Sequence, residues 1–242
     1  MNMEKKFELT DNFIINAFGV KLFQIKCTKS FKYAQKGDFG GYVEKEGNLD
    51  QKNDAWVSGN ARVSGDARVS GDARVSGDAR VSGDAWVSDN ARVSGDAWVS
   101  DNARVSGDAW VSDNARVSGD AWVSGDARVS GDAWVSDNAR VSGDARVSGD
   151  ARVSGNARVS GDADIENDNE HCGFDGFGSC NRHTHAYMTK EKKVEIICGC
   201  FCGSIEEFEK RVEETHSGTI YEKQYKAIID VIKIKFGLTD LI

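Results

Sequence analysis

The sequence predicts an all-β solenoid, and three observations carry that prediction. One six-residue unit, Asp/Asn-Ala-Arg/Trp-Val-Ser-Gly/Asp, repeats almost without variation from Asp54 to Asp162. Alanine recurs at every sixth position from Ala55 to Ala163, which makes nineteen units. The 242 residues include no proline and 26 glycines, more than half of them at the junction between units. A fixed short period is the mark of a chain wound into coils, each buried only by its neighbours.

Within a unit, Ala and Val lie two apart and point to one face of an extended segment, while Arg or Trp and Ser point to the other. Gly-Asp, Gly-Asn or Asp-Asn then makes a corner, because these residues tolerate the left-handed backbone of a sharp bend. Each unit is one short strand and one corner. Val-Ser-Gly-Asp-Ala-Arg, read from Val63 to Arg68, resembles the hexapeptide repeat of the left-handed parallel β-helix. That resemblance implies left-handed winding, with three units in each triangular coil of 18 residues.

Five of the six tryptophans, Trp86, Trp98, Trp110, Trp122 and Trp134, fall 12 apart. On 18-residue coils one face reads Arg68, Trp86, Arg104, Trp122, Arg140. A second reads Arg80, Trp98, Arg116, Trp134, Arg152, and the third contains Arg92, Trp110, Arg128. Each of these tryptophans then sits between two arginines, ~4.8 Å away along the sheet. A guanidinium stacked on an indole there contributes roughly 0.5–1 kcal/mol at an exposed site. Such ladders stabilise a sheet whatever else they do. Exposed Trp and Arg are also the residue types that dominate protein interfaces. The candidate binding surface is therefore Trp86, Trp98, Trp110, Trp122 and Trp134 with Arg80, Arg104, Arg116 and Arg128, and the expected partner is a protein. Nucleic acid is not expected, since corner aspartates outnumber arginines and the net charge is −8.

The chain divides into residues 1–53, 54–165 and 166–242. In the first segment, Phe13–Ile15 and Val20–Cys27 read as two strands joined by Asn16–Gly19, with Leu22 facing opposite to Phe23 and Ile25. Lys36–Val43, with Gly37, Gly40 and Gly41, reads as a turn that bends the chain into the solenoid. It lacks the Gly-Lys-Ser/Thr of a phosphate loop. Val43 and Leu49 are six apart and form one imperfect unit; two extra residues near Gln51-Lys52 precede Val57. Such an end unit is expected to cap the coil edge.

After Ile165 the period stops. A polar, glycine-rich stretch runs to Asn181, followed by strands near His185–Met188 and Val194–Phe201. Ser204-Ile-Glu-Glu207 and Thr219-Ile-Tyr-Glu222 are capping boxes. They open two helices, the first carrying Ile205, Phe208 and Val212 and stopping near Gly218. The second carries Tyr221, Tyr225, Ile228, Ile229, Ile232 and Phe236 and stops at Gly237. The expectation is a ββαα module covering the lower end of the solenoid. The layout of turn segment, hexad array and Cys198-Gly-Cys-Phe-Cys-Gly-Ser-Ile-Glu-Glu-Phe208 looks like hexad proteins predicted from phages, prophages and gut Firmicutes.

No apolar run is long enough to span a membrane, and Met1–Phe7 has no apolar core of the export type. With six cysteines, this points to a cytoplasmic protein with free thiols or metal ligands. Cys198, Cys200 and Cys202 alternate and would share a face of one strand. With Cys172, Cys180, His183 and His185 they supply the ligand types of zinc. No Cys-x-x-Cys pair is present, and buried or free thiols are the favoured reading. No cofactor is expected, and no corner carries the Gly-Gly-x-Gly-x-Asp pattern of calcium repeats.

The hexapeptide acyltransferases, which the array resembles, use a histidine base and bind an acyl donor between coils, and many assemble as trimers. That resemblance implies His171, His183 or His185 as base, since the array itself contains no histidine and no loop interrupts it. The preferred expectation is a non-enzymatic scaffold, with acyl transfer by a trimer as the alternative.

Overall fold

In the computed structural model, residues 5–238 are described; residues 1–4 and 239–242, which include most of the Met1–Phe7 segment, lie outside them. Strands β1 (Phe7–Ile15) and β2 (Lys21–Cys27) form an antiparallel hairpin. Its turn is tied by Asn16, whose side-chain oxygen accepts from the Phe18 and Val20 amides at 2.9 and 3.0 Å. Ile25 enters the solenoid core, whereas Leu22 is buried outside that cluster, as opposite facings require.

The Lys36–Val43 segment corrects the sequence reading. Only Lys36-Gly37 turns; Phe39–Val43 is strand β3, antiparallel to β2 and parallel to the first coils. Gly40 and Gly41 are needed for close approach and not for bending. A Cβ at Gly40 would lie 2.6 Å from the Val57 carbonyl oxygen, and one at Gly41 would lie 2.6 Å from that of Ala61. Any side chain there would push β3 off the first coil.

The array folds into two-residue strands β4 (Trp56–Val57) to β22 (Asp164–Ile165), one per unit. They stack into three parallel sheets in the orders β5-β8-β11-β14-β17-β20, β4-β7-β10-β13-β16-β19-β22 and β6-β9-β12-β15-β18-β21. Partners such as Val93 and Val111 are 18 residues apart, so three units make one coil. Val43 pairs with Val63 and Leu49 bridges to Val69, each 20 residues on, which places the two extra residues in the first coil. The Ala and Val columns fill the interior at essentially zero exposure.

The corners follow one rule. Fourteen are glycines with φ of 60–71°, and four are aspartates, Asp89, Asp101, Asp113 and Asp137, with φ of 57–60°. Each of these aspartates accepts a hydrogen bond from a glycine amide one coil on: Gly107, Gly119, Gly131 and Gly155, at 3.0–3.2 Å. Stacked corners approach so closely that a Cβ at Gly83 would lie 2.8 Å from the Asp101 nitrogen. Within each corner column an aspartate is always flanked by glycines, so no two Cβ-bearing corners stack.

Both coil ends are sealed. At the N-terminal end the buried Lys6 ammonium donates to the Asn53 and Ala55 carbonyls at 2.6 and 2.7 Å. Burial pushes its pKa down to about 8. At the other end a four-stranded antiparallel sheet covers the last coil: β23 (His171–Phe177), β24 (Arg182–Met188), β25 (Val194–Cys198) and β26 (Phe201–Ser204). Tyr187 and Ile197 of this sheet join the solenoid core. Asp168 accepts from the Arg152 amide, and Lys190 donates its amide to the Asp162 carbonyl. The sheet's other face packs on helices α1 (Ile205–His216) and α2 (Ile220–Lys235) through Ile196, Phe208, Ile229 and Ile232.

The terminal module is thus ββββαα, not ββαα. Ser204 and Glu207 form the predicted capping box. Thr219 caps Glu222 as expected, but the Glu222 carboxylate reaches one residue further, to the Gly218 amide.

Candidate functional site

The coil geometry places the tryptophans in the predicted register. Trp86 pairs with Arg68 and Arg104, and Trp122 with Arg104 and Arg140. Trp98 lies between Arg80 and Arg116, Trp134 between Arg116 and Arg152, and Trp110 between Arg92 and Arg128. Because each residue belongs to a two-residue strand fixed at both corners, the side chains stand on a rigid surface. Guanidinium carbons lie 5.5–6.0 Å from the ring centroids on both sides of Trp86, Trp98 and Trp122. Trp110 is stacked by Arg92 alone, and its indole N–H donates to Ser94; that of Trp134 donates to Ser118. These five tryptophans remain 37–44% exposed.

The sixth, Trp56, is buried to 5% exposure by a segment that sequence reasoning passed over. Between β2 and β3 the chain makes a tight turn in which Phe31 bridges to Ala34. Phe31 meets Trp56 edge-on at 5.4 Å, and the Arg74 guanidinium lies 4.9 Å from the Tyr33 ring centre. Lys32 reaches Asp72 at 3.8 Å. Only the spacing Phe-x-Tyr was visible in sequence, with no period to mark it.

The three candidate histidines are brought together, on the sheet face turned toward the last coil. The His185 Nδ1–H donates to the Arg158 carbonyl at 2.8 Å, and its Nε2 lies 3.1 Å from His171 Nδ1. Burial depresses His185 to about 3, so the ring is neutral at pH 7; burial lowers His171 as well. His183 is held by Asp175 at 2.8 Å, and a Cβ at Gly173 would lie 2.7 Å from its ring.

The cysteines do not form one ligand set. Gly199, at φ 63°, and Cys200 turn the chain between β25 and β26, so Cys198, Cys200 and Cys202 do not alternate on one strand. Cys198 faces the helices beside Thr184 and Tyr225, and Cys172 packs with the same helical core, where burial raises its thiol to about 11. Cys202 pairs with Ile197 in the sheet, Cys180 and Cys200 lie in turns, and all three are exposed. His183 and His185 lie on the solenoid side. No group of three His, Cys, Asp or Glu side chains among the described residues has metal-binding geometry.

A groove of about 680 Å³ opens between the β25–β26 turn and α1, with Phe201, Phe208 and Tyr225 as its floor and Arg182, Lys210 and Arg211 at its rim.

Compared with known families, the chain matches the YdcK beta-solenoid repeat in successive, partly overlapping copies from residues 55–71 to 151–163. Residues 55–163 are therefore similar to that β-solenoid repeat, over somewhat less than half of the chain. The matched stretch runs along the hexad array, and the N-terminal sheet and C-terminal module lie outside it. No curated protein matches the chain. No helix among the described residues is long and apolar enough to cross a membrane.

Proposed function

We propose that this β-solenoid repeat protein is a non-enzymatic scaffold whose tryptophan–arginine faces bind a protein partner. The observation that carries the reading is the contrast between the sixth tryptophan and the other five. Where the chain's own loop reaches a tryptophan rung it covers it; elsewhere five indoles stay open on all three faces of a rigid rod. Flat, pre-ordered Trp and Arg lose little conformational freedom on binding, which is why they concentrate interface energy. The likeness in layout to phage and prophage proteins supports a host factor as the partner, in the cytoplasm.

Acyl transfer by a trimer is the less favoured reading. The histidines it needs are turned toward the last coil, and both ring nitrogens of His185 are engaged. A substrate reaching them would have to displace the sheet that seals the solenoid. Incubation with acyl-coenzyme A and amine or hydroxyl acceptors tests this; turnover lost on His183→Ala or His185→Ala would restore it.

The scaffold reading is tested by capture from host extract with the parent and a variant carrying Thr in place of all five exposed tryptophans. Thr keeps strand propensity and adds no charge. The parent should retain a partner that the variant loses at least tenfold, with unchanged circular dichroism. Equal capture would overturn the ladders as the binding surface.

A further inference from the structure

The rung covered by the chain's own loop shows what kind of ligand such a rung accepts. At Trp56 three groups are engaged: the indole meets Phe31, the paired Arg74 stacks on Tyr33, and Asp72 draws Lys32. Arg74 is the sheet partner of Trp56, but its guanidinium lies on the tyrosine of the loop instead of the indole. Asp72 stands two residues before it.

The exposed rungs fall into two kinds by the same criteria. Below Trp86, Trp98 and Trp122 the paired Arg104, Arg116 and Arg140 stack on the indole at 5.8, 6.0 and 5.5 Å. In all three, the residue two before the arginine is asparagine: Asn102, Asn114 and Asn138. Below Trp110 and Trp134 the residue two before Arg128 and Arg152 is aspartate, Asp126 and Asp150, as at Trp56. Among the described residues, neither Arg128 nor Arg152 is stacked on an aromatic ring. These two rungs therefore repeat the arrangement under the loop, with the loop absent. Trp110 also lies on the same sheet as Trp56, three rungs along, ~14 Å away.

We infer that the Trp110–Arg128–Asp126 rung, with its twin at Trp134–Arg152–Asp150, docks a turn of a partner protein reading aromatic–Lys/Arg–aromatic. One ring packs on the indole edge, the second under the free guanidinium, and the cation between them meets the corner aspartate. The net charge of −8 favours a basic segment over an acidic one. This inference rests on the scaffold reading and names the chemistry of its partner.

The probe is a cyclised peptide copying Ser30–Lys36, titrated into the full chain with 15N-labelled indoles. Without its tether it binds weakly, at roughly millimolar concentration, since linkage alone supplies an effective concentration of about that size. The Trp110 and Trp134 indole signals should shift saturably, and those of Trp86, Trp98 and Trp122 at least fivefold less. Asp126→Asn, which copies the corner of the other rungs, should weaken the Trp110 response several-fold without touching that of Trp134. A peptide with Ala at the Phe31 and Tyr33 positions should bind at least tenfold more weakly. Uniform shifts at all five indoles, or no shift at several millimolar, would overturn the inference. If the five-tryptophan variant had nevertheless lost its captured partner, the scaffold reading would stand without it. Concentration-dependent self-association that buries Trp110 in the absence of peptide would assign the rung to a second copy of the chain and also overturn the proposal.

Discussion

Asp101 allows the corner chemistry to be measured. Its backbone is left-handed at φ 60°, its carboxylate accepts from the Gly119 amide at 3.1 Å, and the Ser100 hydroxyl donates to the same oxygen at 3.3 Å. A left-handed L-residue costs roughly 1–2 kcal/mol, less for aspartate, whose side chain bonds locally. The bond to the next coil returns about 1 kcal/mol at this exposed site. Asp101→Gly loses the bond but also loses the strain, so it should change stability by no more than about 0.5 kcal/mol. Asp101→Ala loses the bond and, without a side chain that bonds locally, bears the full left-handed strain, which places it about 1.5–2 kcal/mol below the parent. Asp89, Asp113 and Asp137 occupy separate coils with the same geometry, so the effect should add. The quadruple Ala variant should lose about 6–8 kcal/mol, and the quadruple Gly variant no more than about 2. Urea unfolding followed by tryptophan fluorescence reads both. Equal losses for Ala and Gly would refute the left-handed strain argument.

Two further outcomes follow from the coil and its end. Removing Ala73–Asn90 deletes one whole coil, so the array should rejoin in phase, with the C-terminal module ~4.8 Å closer and unrotated. Removing only Ala73–Asp78 should also fold but turn everything downstream by about a third of a revolution; distance measurements between spin labels on the two ends distinguish these. Failure of both to fold would contradict nearest-neighbour stability. The second outcome concerns Lys6, whose folded pKa of about 8 lies below its unfolded 10.5. Below pH 8 both states hold the proton and the fold bears the full cost of burying it. Between 8 and 10.5 the folded state releases it first, so stability rises with pH, by up to about 1.4 kcal/mol per unit. Cys172, raised from 9.0 to about 11, acts in the opposite direction over that window. The comparison is therefore with Lys6→Met: its stability should lack the rise, and parallel pH curves would show that Lys6 is not the cause.

The solenoid was legible because one alternation, repeated nineteen times, states inside and outside at every residue. The ladders followed from two numbers, a 12-residue spacing of tryptophan on an 18-residue coil. What failed was glycine with two meanings. In Phe39-Gly-Gly-Tyr-Val43 the glycines let a strand approach the first coil, and local sequence does not separate that from a bend. In Cys198-Gly-Cys200 the glycine did turn, where alternation suggested a strand. His171–Phe177 reads as polar loop, yet it is an edge strand paired on one side to β24. The loop over Trp56 was invisible for a different reason: its meaning lies in what it touches across the fold, not in its own spacing. The distinction between Asp and Asn corners was present in the sequence, but it acquired significance only once the arginine stacking was known.

Hydroxyl-radical footprinting of the captured complex tests the central claim most directly, because it reads side chains one by one. The account predicts that the exposed tryptophans, Trp110 and Trp134 foremost, become protected in the complex. The exposed thiols Cys200 and Cys202, which line the C-terminal groove, should stay as reactive as in the free protein. Unchanged tryptophans, with protection confined to Arg182, Cys200 and Arg211, would contradict it and move the binding site to the C-terminal module.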